Sequence, residues 1–100
     1  MQLRILPLGA SIVNGGHVPD KNGFRYALRN KLVYDGNPVN MIGSLSVGSM
    51  MDNNVEGWSG YMIDAVAEKA KLDYYAQPNI VLIHVGTNDM FLVSLLCISL

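Results

Sequence analysis

Two polar side chains follow apolar runs that are typical of buried strands. Ser11 comes shortly after Leu3–Leu8, and Asn88 comes shortly after Ile80–Val85. In an open parallel sheet the C-terminal ends of the strands face one crevice, where ligands bind. A serine hydroxyl is a potential nucleophile, and a side-chain amide can donate hydrogen bonds to an oxyanion. The two residues could therefore form half of an acyl-transfer site.

A glycine follows a third, shorter apolar run. Gly43 comes directly after Pro38–Ile42, and a backbone N–H without a neighbouring side chain could approach a ligand closely there. Each of these residues has an ordinary alternative, since serine, asparagine and glycine all serve turns. Ser11 is not in a nucleophile elbow, because Val13 stands where Gly-x-Ser-x-Gly needs glycine. No Lys-Ser or Lys-Thr of a P-loop follows either.

A general base for the serine is not evident. The sequence has two histidines, His17 and His84. We expect His17 to be a solvated loop residue and His84 to be packed in the sheet, since it lies within an apolar strand. Asp20 lies three residues after His17 and could pair with it, although closeness in sequence does not fix orientation.

Two neighbouring residues are candidates for substrate contact. Trp58 could stack on a sugar, or it could be a hydrophobic plug over the edge of the sheet. Glu56 could act as an acid, although a solitary glutamate is usually solvated at the surface. Both lie in Ser44–Gly60, a glycine-rich segment that we predict to be a long loop of the kind that is often functional.

The elements that must position these residues alternate along the chain. We predict strands at Leu3–Leu8, Pro38–Ile42 and Ile80–Val85, and helices at about 24–35 and 61–74, where apolar residues recur at helical spacing. Residues 10–23 have loop composition. This order predicts an α/β fold with a parallel sheet and right-handed crossovers.

Composition narrows the function classes. One hundred residues suit one small domain, and half of them are apolar. A net charge of −1 without a basic run argues against nucleic-acid binding. The single Cys97 implies no internal disulfide. We expect neither a signal peptide nor a membrane span, because the apolar runs are too short.

Several segments together resemble the SGNH (GDSL-type) hydrolases, in the order and spacing of that family's first three blocks. Two further segments are similar to the acetylxylan-esterase-like carbohydrate esterases within the family. The resemblance covers roughly residues 3–90. The block-like segments are Gly9-Ala10-Ser11-Ile12, Gly43 and Gly86-Thr87-Asn88-Asp89, and the further ones are Tyr34–Asn40 and Asn54–Tyr61.

The resemblance implies a fold, an activity and a site. The fold would be a flavodoxin-like three-layer α/β/α domain, and the activity would be hydrolysis of small-molecule or carbohydrate O-acyl esters. Ser11 would be the nucleophile, and the N–H groups of Ser11 and Gly43 with the side chain of Asn88 would form the oxyanion hole. The family needs no metal or cofactor.

The sequence departs from the family pattern in two places. Ala10 replaces the aspartate of the usual Gly-Asp-Ser, and no Asp-x-x-His occurs, although this block supplies the family's acid and base. We therefore expect residues 1–90 to be the N-terminal part of such a domain, truncated after its third parallel strand. Phe91–Leu100 would be an apolar tail from a truncated product or a faulty gene model.

These departures predict impaired catalysis and leave other functions open. The main alternative is a non-catalytic carbohydrate-binding relic that keeps the crevice. A nucleotide-binding flavodoxin-like module is less favoured, since no phosphate-cradling glycine pattern is present. We also expect self-association through the tail and through the exposed apolar edge of the third strand.

Overall fold

The computed structural model describes residues 2–90, and the prediction made for Phe91–Leu100 lies outside them. A helical turn at residues 87–90 follows the last strand. In chain order the preceding elements are β1 (Leu3–Gly9), α1 (Ser11–Asn14), α2 (Arg25–Tyr34), β2 (Val39–Met41), β3 (Leu45–Ser46), β4 (Asn54–Gly57), α3 (Ile63–Ala70), a 3-10 helix (Lys71–Ala76) and β5 (Ile80–His84).

The sheet is built around β1, which pairs in parallel with neighbours on both sides. On one side of β1, β2 pairs with the first half of the strand and β4 pairs with its last two residues. On the other side, β5 pairs with most of the length of β1. Within the described chain only the β3–β4 pairing is antiparallel. The predicted α/β fold is confirmed, and β1 lies between β2 and β5.

Alternation along β1 sends its side chains to two separate cores. Leu3 and Ile5 pack with β2 residues and with Leu32 of α2. Leu6 and Leu8 point to the opposite face, where they pack with Val66 of α3. The two helices therefore cover opposite faces of the sheet, which gives three layers.

The segment Ser44–Gly60 is not the long loop that we predicted from its glycines. It forms a β-hairpin in which Leu45 of β3 pairs with Val55 of β4. Val55 and Glu56, which are neighbours on β4, are both fully buried. The strand forms because β1 extends beyond the end of β2, and β4 satisfies the backbone groups of that exposed part.

The other element boundaries differ from the predicted ones by a few residues. Residues 11–14 of the predicted first loop form α1, which ends at Gly15 in the left-handed conformation (φ +82°). The helix predicted at 61–74 begins at Ile63, and its last part is a 3-10 helix. No helix among residues 2–90 has the length and apolarity needed to cross a membrane.

Candidate active site

Ser11 lies where the central strand turns into α1, as the first residue of that helix. Gly9 permits this tight turn, because a Cβ atom there would lie 2.1 Å from the carbonyl oxygen of His84 and 2.6 Å from the Val13 side chain. Ser11 is partly exposed. As the first N–H of a helix, its backbone donor has no intrahelical acceptor. Ser11 therefore offers both a hydroxyl and a backbone N–H at the end of β1.

The end of β1 is also a topological switch point. The chain continues from β1 to β2 on one side and later to β5 on the other, and such a reversal opens a crevice outside the strand ends. Gly9 pairs with Gly57 of β4 and with His84 of β5. Ser11 thus stands at the crevice that the fold creates.

Gly43 follows β2 and lies flat against β4. Its neighbour Ile42 donates its N–H to the carbonyl oxygen of Ile5 at 2.8 Å. A Cβ atom on Gly43 would lie 2.1 to 2.4 Å from three backbone atoms of Val55, so that no side chain fits. Only glycine fits at this position, because the two backbones approach closely. The Gly43 N–H is therefore not shielded by a side chain of the same residue.

Asn88 is partly buried in the helical turn after β5. Its Nδ2 donates to the carbonyl oxygen of Tyr61 at 3.0 Å, which leaves the second amide hydrogen for another acceptor. The next residue, Asp89, accepts the N–H of Ile63 at 3.0 Å. These two bonds tie the segment after β5 to the start of α3. Ser11, Gly43 and Asn88 thus follow the C-terminal ends of three adjacent parallel strands, β1, β2 and β5.

Glu56 is not a solvated surface residue, because its side chain is 0 % exposed. Its Oε1 accepts the N–H of Ser44 at 3.0 Å, and its Oε2 accepts the Ser44 hydroxyl at 2.7 Å and the indole N–H of Trp58. It is also hydrogen-bonded to Asp73, which is 2 % exposed. The carboxylate is therefore enclosed by protein groups and contacts the residue directly after Gly43.

Trp58 is held beside the end of β1 by several contacts. Its N–H donates to the carbonyl oxygen of Gly9 at 2.9 Å. The indole stacks on Tyr61 with 5.3 Å between ring centroids, and the Lys69 ammonium lies 4.1 Å from the centroid of the indole ring. Since the Tyr61 ring and the Lys69 ammonium both contact the indole, these contacts favour a packing role for Trp58 over sugar stacking.

Both histidines are exposed. His17 is exposed, as expected, and lines the same pocket as Ser11. The prediction that His84 packs within the sheet is wrong: its side chain is exposed, since β5 pairs only with β1 in the described part of the chain. Within residues 2–90 neither histidine is hydrogen-bonded to a carboxylate, and Asp20 instead accepts the N–H of Asn22 at 3.0 Å.

The pocket beside Ser11 has a volume of about 250 Å³ and a mostly apolar lining. Ile12, Val18 and Phe24 contribute partly exposed side chains to it. Ala10, at the position of the family's aspartate, is buried and adds no polar group. A small apolar group bound next to Ser11 would fit this surface.

Sequence reasoning missed two buried charged residues. Asp73 lies on the same helical face as Val66 and Ala70, and a carboxylate on an apolar face was the signal that could have revealed it. Arg25 is 0 % exposed and donates to the carbonyl oxygens of Asn14, Lys21, Val47 and Asn53. Nothing local in the sequence distinguishes Arg25 from the exposed cations of α2.

The carboxyl groups of Asp73 and Glu56 perturb one another. Burial raises the pKa of Asp73 to about 7, with further contributions from the hydrogen bond and the negative charge of Glu56. Burial also opposes ionisation of Glu56, but hydrogen bonds from Asp73, Ser44 and Trp58 outweigh it and lower the pKa of Glu56. Below about pH 7 the pair therefore holds one proton, and that proton resides on Asp73.

The chain is similar to a family 3 carbohydrate esterase from Clostridium thermocellum. The solved structure of that esterase superimposes with a TM-score of 0.86 at 26 % sequence identity. The similarity covers 94 % of this chain and 48 % of the esterase, so that the chain spans about half the length of that protein. No protein-family model and no curated protein matches the chain.

This similarity confirms the resemblance to the SGNH-type carbohydrate esterases and the predicted fold.

Proposed function

We propose that the chain carries the nucleophile and the oxyanion donors of an SGNH-type serine ester hydrolase, with residues 1–90 forming part of one hydrolase domain. The substrates would be O-acyl esters, in particular acetyl esters of carbohydrates. One observation carries the proposal: Ser11 lies at the topological switch point of the sheet, and Gly43 and Asn88 follow the strands on either side of it.

Each residue has a defined role in this reaction. The Oγ of Ser11 attacks the acyl carbonyl carbon, and the carbonyl oxygen becomes an oxyanion. The N–H groups of Ser11 and Gly43 and the Nδ2 of Asn88 donate to that oxyanion. The C–O bond to the alcohol then breaks, the alcohol leaves with a proton, and water hydrolyses the acyl-serine. Loss of one oxyanion donor typically costs about 10²–10³-fold in rate.

The rate of this reaction depends on a general base. The sequence contains no Asp-x-x-His, and His17 has no carboxylate partner within residues 2–90. General-base catalysis contributes roughly 10²–10⁴-fold, and members of a triad act as a unit. We therefore expect hydrolysis of p-nitrophenyl acetate by this chain to be feeble.

A carbohydrate-binding function without catalysis is the second candidate. The observation in its favour is the missing Asp-x-x-His in a sequence that otherwise keeps the crevice. Such a protein would bind an acetylated oligosaccharide without turning it over, and its Ser11 would react no faster than other serines.

Labelling by a fluorophosphonate separates the two candidates. We expect stoichiometric phosphonylation of Ser11, located by peptide mass spectrometry, and no labelling of the Ser11→Ala variant. Ser59→Ala is a matched control, because Ser59 is an exposed serine that lies outside the proposed site. Equal, slow labelling of Ser11 and Ser59, together with oligosaccharide binding, would favour the relic.

A further inference from the structure

We propose that Glu56 is a positioning residue that fixes the oxyanion donor Gly43, and that the carboxyl group of Asp73 holds Glu56 in place by donating its proton to it. This inference rests on the proposed function, since it assigns a role to Gly43. Glu56 and Asp73 do not touch the substrate in this account. They act through the backbone that carries the donor.

The first argument is the way in which Glu56 binds Ser44. One carboxylate oxygen accepts the Ser44 N–H at 3.0 Å, and the other accepts the Ser44 hydroxyl at 2.7 Å. The Ser44 N–H belongs to the peptide unit that follows Gly43, so this bidentate grip fixes the orientation of that unit. The preceding residue, Ile42, is fixed by its bond to Ile5. The backbone of Gly43 is thus held on both sides.

The second argument is that β4 supplies both the carboxylate and the surface against which Gly43 packs. Gly43 lies against the backbone of Val55, and Glu56 is the next residue along the strand. A glycine is otherwise free to adopt many conformations. Here one rigid strand restricts it by contact through Val55 and by hydrogen bonds through Glu56.

The third argument concerns the far side of Glu56. Asp73 comes from the 3-10 helix after α3, is buried, and has one carboxylate oxygen without a hydrogen-bond partner among the described residues. Two buried carboxylates in contact cannot both be ionised at low cost, so a proton is shared between them. From α3, Lys69 faces the Trp58 indole that also donates to Glu56. Protonated Asp73 therefore completes the set of donors around Glu56.

The direction of the pH effect follows from this arrangement. As the pH rises through about 7, Asp73 loses its proton, and its charge repels Glu56 instead of holding it. The contact with Ser44 then loosens, and the Gly43 N–H is less well placed. Asparagine at position 73 would keep an N–H donor for Glu56 at every pH.

The test is the second-order rate of phosphonylation of Ser11 between pH 5 and 9. The ratio of the wild-type rate to the Asp73→Asn rate cancels the pH dependence of the reagent itself. We expect this ratio to fall severalfold with a midpoint near pH 7. We expect Glu56→Gln to lower the phosphonylation rate about tenfold at every pH. The glutamine N–H₂ group would lie against a donor at a position where the carboxylate oxygen accepts a hydrogen bond. Glu68→Gln, on an exposed part of α3, should match the wild type.

Two results would overturn the proposal. One is a folded Glu56→Gln variant that is labelled at the wild-type rate, and the other is a rate ratio that does not change with pH. Trp58 is the only tryptophan, so its indole N–H signal in NMR reports on Glu56 independently of Ser11. That signal should shift with a midpoint near pH 7 in the wild type and not in Asp73→Asn.

The same signal separates failure of this inference from failure of the proposed function. If the wild type is not labelled at all, the proposed function is rejected, and with it the role of Gly43. The indole signal would then still decide whether Asp73 and Glu56 share a proton. An indole signal that is insensitive to Asp73→Asn would reject the carboxyl pairing, whatever Ser11 does.

Discussion

The two sides of β1 differ sharply in how they are held. On the side of β2 and β4, Val55 and Glu56 are 0 % exposed, and buried polar groups bind the backbone around them. On the side of β5, Val81 is 45 % exposed and Ile83 is 65 % exposed. The proposed oxyanion donor at Gly43 therefore rests on a buried scaffold, whereas Asn88 follows a strand that pairs only with β1 among residues 2–90.

This difference shows that the core does not support the two halves of the site equally. Arg25 illustrates the buried half, because its guanidinium joins α1, α2 and the β3–β4 hairpin through four carbonyl oxygens. Burial lowers the pKa of Arg25, and the negative charge of Asp20 opposes that shift. The β5 half depends on the hydrogen bond that Asn88 donates to the Tyr61 carbonyl oxygen and on the one that Asp89 accepts from the Ile63 N–H at the start of α3.

The largest loss of stability should come from removing the guanidinium of Arg25. Arg25→Met keeps most of the apolar stem but removes a donor from four carbonyl oxygens, of which that of Asn53 still accepts the Val47 N–H. Each buried polar group that is left unsatisfied costs about 1–3 kcal/mol. We expect the free energy of unfolding in urea to fall by at least about 3 kcal/mol. Lys31→Met is the control on the same helix, because the Lys31 ammonium is exposed and contacts the surface residues Asp35 and Tyr34. Equal stability of the two variants would show that Arg25 is not a structural centre.

The next effect is a pH dependence of stability that arises on the buried side. The pKa of Asp73 is raised from 3.8 to about 7, so its contribution to stability is fully present below about pH 4 and is lost as the pH rises through 7. Glu56, whose pKa is lowered, acts in the opposite sense and only in more acidic solution. At about 1.4 kcal/mol per pKa unit, the wild type should lose on the order of 2–4 kcal/mol between pH 4 and 8.

Urea unfolding of the wild type and Asp73→Asn across this pH range measures the effect. We expect a flatter profile for the variant, since asparagine does not titrate. Parallel profiles would mean that the pKa of Asp73 is not raised in the folded protein.

A smaller effect should follow from loosening the exposed side. Asp89→Ala removes the acceptor for the Ile63 N–H at the start of α3, and loss of such a helix-terminal bond costs about 1 kcal/mol. Hydrogen exchange of the α3 amides should accelerate, while exchange in β2 and β4 stays unchanged. Acceleration on both sides would erase the contrast between the two halves.

The exposed residues of β5 should affect self-association of the protein more than its free energy of unfolding. Ile83→Lys places a charge on the open side of β5, and charged residues on edge strands oppose pairing with other chains. We expect a lower average mass in sedimentation experiments and a change in unfolding free energy within about 0.5 kcal/mol. Tyr34→Lys alters another exposed residue, at the end of α2, and should leave association unchanged. If both variants lower the mass equally, β5 is not the contact surface.

The strands and the main helices could be predicted from sequence because their signals are local. The apolar runs that end before Ser11, Gly43 and Asn88 sufficed to place these residues at strand ends. The β3–β4 hairpin could not be predicted, because β4 exists only where β1 extends beyond β2. Its glycines resemble those of a loop, although Gly57 serves close packing: a Cβ atom there would lie 2.5 Å from the Asn14 nitrogen.

The buried polar groups were missed for a similar reason. Glu56 was expected to be solvated because it has no charged partner nearby in sequence, and its partner Asp73 lies 17 positions further along the chain. Arg25 binds carbonyl oxygens, which any sequence supplies. Tertiary contacts alone determine that these side chains are buried, so composition and spacing give little indication of them.

A crystal structure of the protein after fluorophosphonate treatment tests the central claim most directly. The account predicts phosphorus bonded to the Oγ of Ser11, with its phosphoryl oxygen about 2.7–3.1 Å from the backbone nitrogens of Ser11 and Gly43 and from the Nδ2 of Asn88. A phosphoryl oxygen that points to solvent or towards His17, with Gly43 and Asn88 out of reach, would contradict it.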